Sequence, residues 1–258
     1  MHAIVTAGGI PQPGEPLYEF TLGKSKALLD IAGKPMVQWV LDALSAASTV
    51  EGVVFMGLSP EAGLTCSKPM TFIPNQGEML ANVLNGIKKV LELVPQASHA
   101  LIVSSDIPAI TPESVDWVVN TALKTDDDIY YNVISRDVME KRFPGSRRSF
   151  IRLKEVEVCG GDMNVVRTLT ATGRDELWKR IIDSRKNALK QASLLGFDLL
   201  FLIMLHQITI EQAERKVSRR IGLKGKVLRC PYAEVGMDVD KPHQLEIMRV
   251  DLAKRVRS

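Results

Sequence analysis

The chain has 258 residues, 45% of them hydrophobic and 24% charged, with a formal net charge of +3. Such a length and composition suit a globular protein with a substantial core, and so small a net charge gives no global attraction to nucleic acid or to an anionic membrane. Cys66, Cys159 and Cys230 lie far apart with no short paired spacing, which argues against a disulfide framework or a zinc site and for reduced, buried thiols.

In chain order, "MHAIVTAGG" lacks the basic region and long apolar stretch of a secretory signal, so a cytoplasmic protein is expected. Strands are expected over 2–6, 52–57, 70–73 and 99–104. Between them, "PMVQWVLDALSAA" opens with Pro35 in the first-turn position, and both it and "EMLANVLNGIKKVLELV" repeat apolar residues at helical spacing. A further helix follows the strand "HALIVSS", with Thr111 as cap, Pro112 in the first turn and Glu113 as early acid. Alternating strands and helices feed a mostly parallel sheet.

Near residue 128 the texture changes to β-rich segments flanking a basic loop that holds Arg136, Lys141, Arg142, Arg147, Arg148 and Arg152. This stretch reads as an insertion over the active-site edge. Arginine forks suit a phosphate group, and a solvated basic face explains the cluster equally well. A helical block is expected over about 174–220, then one or two strands and a closing helix. The most apolar stretch, "LLGFDLLFLIMLHQI", contains Asp198 and His206 and is shorter than the about 20 residues that span a bilayer. It reads as a buried helix, with a membrane-surface or partner-binding helix as the alternative. No repeat or linker divides the chain, so one domain over 1–258 is expected, with 128–225 as an acceptor-side insertion and helical block.

In open α/β sheets, ligands bind outside the carboxyl ends of the strands. Ala7, Gly8 and Gly9 fall at such an end, where missing side chains let backbone N–H groups approach a nucleotide, although a plain tight turn has the same sequence. The spacing fits neither G-x-G-x-x-G nor the P-loop pattern. In "GKSKALLDIAGKPM", Lys26 can reach phosphate oxygens near the glycines or stay solvated. Asp106 ends an apolar strand in "SSDIP", and "GMDVDKP" places Asp238 and Asp240 two residues apart in a strand-like segment, so both face one way. Carboxylates from separate strand ends can share one Mg²⁺.

The order of these motifs resembles that of nucleotidyltransferases with a glycosyltransferase-A-like fold, the group that includes molybdenum-cofactor guanylyltransferase and the sugar-phosphate and cytidylyl transferases. The resemblance is strongest over 3–45, 98–120 and 234–247. It implies a Rossmann-like, three-layer α/β/α architecture with a mostly parallel mixed sheet and an inserted helical subregion. It also implies that Ala7, Gly8 and Gly9 wrap the nucleotide and that Lys26 is the conserved-type lysine before the G-K-P-M run, with Ser25 where proline is usual. Asp106 becomes a metal ligand. In the late motif Asp238 is the second ligand, with Asp240 as its substitute. Gln76, Gly77 and Asn82 in "NQGEMLANV" are implied to touch the base, and Gly160, Gly161 and Asp162 in "CGGDM" to lie by the acceptor. The family loop usually reads A-G-G-x-G-x-R; here neither the third glycine nor the arginine is present, and Lys24 is the candidate replacement for its charge.

The implied reaction is attack of an acceptor phosphate or alcohol oxygen on the α-phosphorus of a nucleoside triphosphate, with Mg²⁺ as cofactor and pyrophosphate leaving. The expected partners are the triphosphate and a small-molecule acceptor, with no nucleic acid and no membrane span, and with helical faces compatible with a homodimer or a lid. The alternatives are a glycosyltransferase that uses "DVD" as its D-x-D motif, and a nucleotide-binding relative without turnover.

Overall fold

The computed structural model describes residues 1–172, 177–178 and 197–257. Its frame is a nine-stranded mixed sheet in which β5 (Met70–Ile73), β4 (Gly52–Met56), β1 (His2–Thr6) and β6 (His99–Ser104) lie side by side and parallel. The first strand pairs His2 with Gly52 on one side and with Ala100 on the other. Beyond β6 the direction reverses: β10 (Met163–Arg167) runs antiparallel to β6 and to β7 (Ile129–Ser135). Next come β9 (Glu157–Gly160) and β8 (Ile151–Arg152), while β11 (Gly225–Arg229) runs parallel to β7. The two-residue strands β2 (Asp30–Ile31) and β3 (Lys34–Pro35) form a separate small hairpin.

Alternate residues of the parallel strands go to opposite faces, and both faces are covered. Ala3, Val5, Phe55, Leu101 and Val103 join α2 (Met36–Ala46), α4 (Pro112–Ala122) and the closing helix α8 (Pro242–Arg257) in one core cluster. Ile4, Val54, Met56, Ala100 and Ile102 meet Ile87 and Val90 of α3 (Met79–Leu93) in a second. Burial on both sides is why these strands read as unbroken apolar runs. Helix α3 sits so close that a Cβ on Gly86 would lie 2.5 Å from Ile4 Cγ2. An alanine there gains about 1 kcal/mol of helix propensity, but overpacking costs about 1–3 kcal/mol, so glycine wins at this position.

The expected strands and helices of the first half fall where the sequence puts them, with three differences of detail. Pro35 is the cap residue of α2 rather than its first turn, because it is already held in β3 against Asp30. The capping box of α4 is completed by Ser114, which accepts from the Thr111 N–H at 3.0 Å. A short helix, α1 (Tyr18–Thr21), interrupts the stretch after the glycines.

The second half differs more. The stretch from 128 on is no insertion set over the sheet, because β7, β9 and β10 continue the main ladder. The start of the basic stretch is a helix, α5 (Arg136–Arg142), capped by the Ser135 hydroxyl. Of the expected block over 174–220, residues 174–176 and 179–196 lie outside the described residues. The rest forms α6 (Phe197–Met204) and α7 (Ile210–Ile221), packed on Val133 and Val158 through Leu199, Ile208 and Ile210. Helix α6 is not the buried helix expected: Leu199 is covered, but Phe201 and Met204 are 55% and 63% exposed. Eight residues of near-continuous apolarity cannot all turn toward one sheet face. Among the described residues, no helix is long and apolar enough to cross a membrane.

Candidate active site

The site forms where the parallel strands end. Backbone hydrogen bonds tie their carboxyl termini together: Ala7 N–H donates to Met56 O at 2.8 Å, and Ser105 N–H to Thr6 O at 3.1 Å. The turn after β1 is packed from behind by Gly57, which has φ +100° and whose Cβ, if present, would lie 2.7 Å from the Gly8 nitrogen. Such a left-handed, close-approach position admits glycine and little else. A Cβ on Gly8 would strike the Asn75 side chain at 2.7 Å, whose amide donates to the Gly8 carbonyl at 3.3 Å. Bare backbone therefore lines the cleft because side chains have no room.

Lys26 is delivered to the same place by two short links. The buried Ser25 hydroxyl donates to Ala7 O at 3.1 Å, and Lys26 N–H donates to Gly9 O at 3.0 Å. Serine here anchors the lysine loop to the glycine turn, a bond that the proline usual in relatives cannot make. The Lys26 ammonium ion-pairs with Asp106 and, at 2.6 Å, with Asp240. Burial works against its charge, but Asp106 and Asp240 outweigh that and hold its pKa above the ordinary lysine value. Asp106, 7% exposed, also accepts from the Ser104 hydroxyl at 2.5 Å.

Asp238 and Asp240 occupy an extended segment but not a strand. Its N–H groups are taken elsewhere: Val239 donates to Asp106 O at 2.9 Å, and Asp240 and Lys241 donate to the buried Gln244 Oε1 at 3.0 and 2.9 Å. Asp240 reaches Lys26, whereas Asp238 turns inward to an ion pair with Arg148. Arg148 also lies 3.8 Å from Asp162. Asp162 sits in the step between β9 and β10, where Gly161 N–H donates to Asn132 O and Asp162 O accepts from Ser104 N–H. Gly161 is buried, and a Cβ would press on Asn132 and Val235 at 3.0 and 3.1 Å. Burial, with the Asp106 charge added, pushes the Asp162 carboxyl up to about 7, a range suited to proton exchange at neutral pH.

The expected site residues thus divide. Gly8, Gly9, Lys26, Gly77, Asn82 and Asp106 line one cleft of about 250 Å³ together with Asn75 and Ser105, with Ala7 buried behind it. A wider groove of about 520 Å³ shares Gly9 and Lys26 and runs past Pro11, Pro16 and Asp240. Lys24 is exposed on the turn before Ser25 and lines neither cavity. Gln76 is exposed with its amide on Pro74 O at 2.9 Å, and only its N–H, bonded to Asn82 Oδ1 at 2.7 Å, joins the cleft network. Asp106, Asp238 and Asp240 are not brought together as a preformed ligand set, and among the described residues no cluster of three or more His, Cys, Asp or Glu is arranged to hold a metal.

The donor chemistry nevertheless suits a hard divalent cation. Four carboxyl groups, Asp106, Asp162, Asp238 and Asp240, face two cations, Lys26 and Arg148, so at least one negative charge stays uncompensated even when Asp162 is protonated. Asp162 Oδ2 is buried without a hydrogen-bond partner, and Asp238 Oδ1 is buried with the Arg148 guanidinium against it. The basic cluster does not act as one patch. Arg136 pairs with Glu140 and Glu157, Arg142 with Glu234 and Asp251, and only Arg148 enters the site. Asn75, Ser25, Gln244 and the singular position of Arg148 were missed by sequence reasoning. Of these only Asn75, in "IPNQG" between strand and helix, carried a local signal.

A glycine turn, a lysine and carboxylates at the carboxyl ends of parallel strands, continued by an antiparallel half with its own carboxylate, define a nucleotidyltransferase architecture. The MobA-like NTP transferase domain model matches residues 14–176, and the chain belongs to that family. A solved structure described as a hypothetical transferase from Thermus thermophilus shares 33% identity and a TM-score of 0.81, covering 95% of this chain and 98% of that one. The CMP:2-keto-3-deoxy-manno-octonic acid synthetase solved with CTP has the same fold at 15% identity and a TM-score of 0.58, covering 98% of this chain and 99% of the other. The bifunctional protein GlmU of Thermoanaerobacter pseudethanolicus is 25% identical over 104 residues, 40% of this chain and only 22% of that protein.

Proposed function

We propose that the protein transfers a nucleoside monophosphate from a nucleoside triphosphate to a phosphate-bearing or alcohol small molecule, releasing pyrophosphate. The observation that carries this reading is the placement of Lys26 at the boundary of two cavities, pinned to the Gly9 backbone and paired with Asp106 and Asp240. The cleft of Gly8, Asn75, Gly77 and Asn82 takes the nucleotide, with Ala7 and Gly9 shaping its turn and the Gln76 backbone bracing Asn82. Its polar lining is set by an amide network: Asn82 donates to Asn75 Oδ1 at 2.9 Å, and Gly77 N–H donates to the same oxygen at 2.9 Å.

Transfer of this kind needs positioning and charge neutralisation more than covalent chemistry. Lys26 holds the phosphates while the glycine turn admits backbone donors, and Gly160, Gly161 and Asp162 border the acceptor. Mg²⁺, held by Asp106 and Asp238 with Asp240 in reserve, would supply further neutralisation of the triphosphate. The D-x-D reading of "DVD" is weakened because Asp238 and Asp240 turn to different cations.

Each of the four triphosphates incubated with Mg²⁺ and a panel of sugar phosphates, polyol phosphates and alcohols tests the proposal. One pair should yield pyrophosphate and a nucleoside monophosphate conjugate. Turnover of nucleotide-sugars with release of a nucleoside diphosphate, and none of triphosphates, would overturn it in favour of glycosyl transfer.

A further inference from the structure

Arg142 precedes the loop of residues 143–150 and Arg148 lies within it, and the structure treats them differently. Each nitrogen of Arg142 has a partner: its Nε donates to Glu234 at 2.7 Å, and its two Nη groups donate to Asp251 at 2.7 and 2.8 Å. Arg148 is engaged less completely. It ion-pairs through Nη1 with Asp238 Oδ1 and stands 3.8 Å from Asp162, while its Nε and Asp162 Oδ2 are buried without a hydrogen-bond partner. A guanidinium fork meeting carboxylates normally satisfies both sides, and buried polar atoms left unmatched are uncommon.

The loop is built to keep this side chain in place without engaging it fully. Arg147 adopts a left-handed backbone, φ +51°, which turns the chain inward. Ser146 is 2% exposed, and its carbonyl lies 3.0 Å from His243 Nε2 on α8. The guanidinium is thereby inserted beside Asp238, which is itself 9% exposed, in a site whose carboxylates outnumber its cations.

We infer that Arg148 is a displaceable counter-cation, which neutralises Asp238 and Asp162 until a divalent cation takes Asp238, and which is then free to receive an anionic group of the acceptor. This rests on the metal-dependent reading given above. Because the guanidinium and the metal compete for the same carboxylate, the metal's apparent affinity in the absence of nucleotide is reduced by the fraction of molecules in which Arg148 is seated.

Mn²⁺ titrated by calorimetry into the nucleotide-free protein tests the exchange. Arg148→Gln should bind Mn²⁺ roughly tenfold more tightly than wild type, as expected when a competing state is removed. Arg148→Lys, which keeps the charge without the fork and guards against a folding defect in the first variant, should fall between. Thermal melts should show a larger rise in Tm on Mn²⁺ addition for Arg148→Gln than for wild type. Mn²⁺ binding that is lost in Asp238→Asn but unchanged or weakened in both Arg148 variants would overturn the exchange and leave the metal site standing. Failure of wild type and Arg148→Gln alike to bind Mn²⁺, with or without triphosphate, would overturn both.

Discussion

The parallel half of the sheet, β5, β4, β1 and β6, and the antiparallel half, β10, β7, β9 and β8, build their parts of the site by different means. In the parallel half, each strand ends at the same edge and hands over to a loop, so the functional groups are largely backbone and lie close to their strand in sequence: Gly8 after β1, Asn75 after β5, Asp106 after β6. In the antiparallel half the groups arrive from far apart. Asp162 comes from a step between two strands, Arg148 from a loop after α5 and Asp238 from the segment before α8, and they meet only through long-range packing. In the proposed function the first arrangement receives the nucleotide. The second leaves charge unbalanced and open to adjustment by what binds.

If that contrast is right, the largest effects come from the strand-end groups. Lys26→Ala and Asp106→Asn should each lower the initial rate of pyrophosphate release by two to three decades, about 3–4 kcal/mol of transition-state stabilisation. Near-normal turnover in either would break the comparison at its first term.

The antiparallel half should show itself in pH dependence. Asp162 is protonated up to about pH 7 in the folded, metal-free protein, whereas the same carboxyl ionises near 3.8 when unfolded. Between these values the folded state binds the extra proton, so stability falls as pH rises, at up to about 1.4 kcal/mol per pH unit, and levels off above pH 7. Urea unfolding of Asp162→Asn across pH 4.5–8 should lack this component. A wild-type profile with the opposite slope from this group, or one unchanged by the substitution, would count against the charge imbalance.

Gly57→Ala sharpens the claim about backbone. The left-handed backbone and the 2.7 Å approach to Gly8 should together cost about 1–3 kcal/mol of stability and weaken nucleotide binding, both measurable on one preparation. Smallest is Thr111→Ala, which removes a helix cap and should cost about 1 kcal/mol in thermal unfolding while leaving nucleotide affinity unchanged.

The same contrast explains what could be read in advance. Strands β1, β4, β5 and β6 are continuous apolar runs because both sheet faces are covered, and Thr111 with Pro112 announces α4 by local chemistry alone. Lys26 and Asp106 stand out because their neighbours form ordered motifs. Arg148 does not, since five other basic residues share its stretch and only tertiary packing sends Arg136 to Glu157 and Arg142 to Glu234 and Asp251. The extended segment at Asp238 reads as a strand by its alternation, but its N–H groups go to Asp106 and Gln244, which no local pattern reveals. The apolar run at α6 misleads for a related reason, because hydrophobicity signals burial only when a face exists to receive it.

The central claim is that the strand-end cleft is a metal-assisted triphosphate site. Its most direct test is calorimetric titration of ATP, GTP, CTP and UTP with Mg²⁺, repeated for the best binder with Asp106→Asn. Metal-dependent binding of one triphosphate, clearly weakened in the variant, is the predicted result. Binding of none of the four, or binding indifferent to both Mg²⁺ and Asp106, would contradict it.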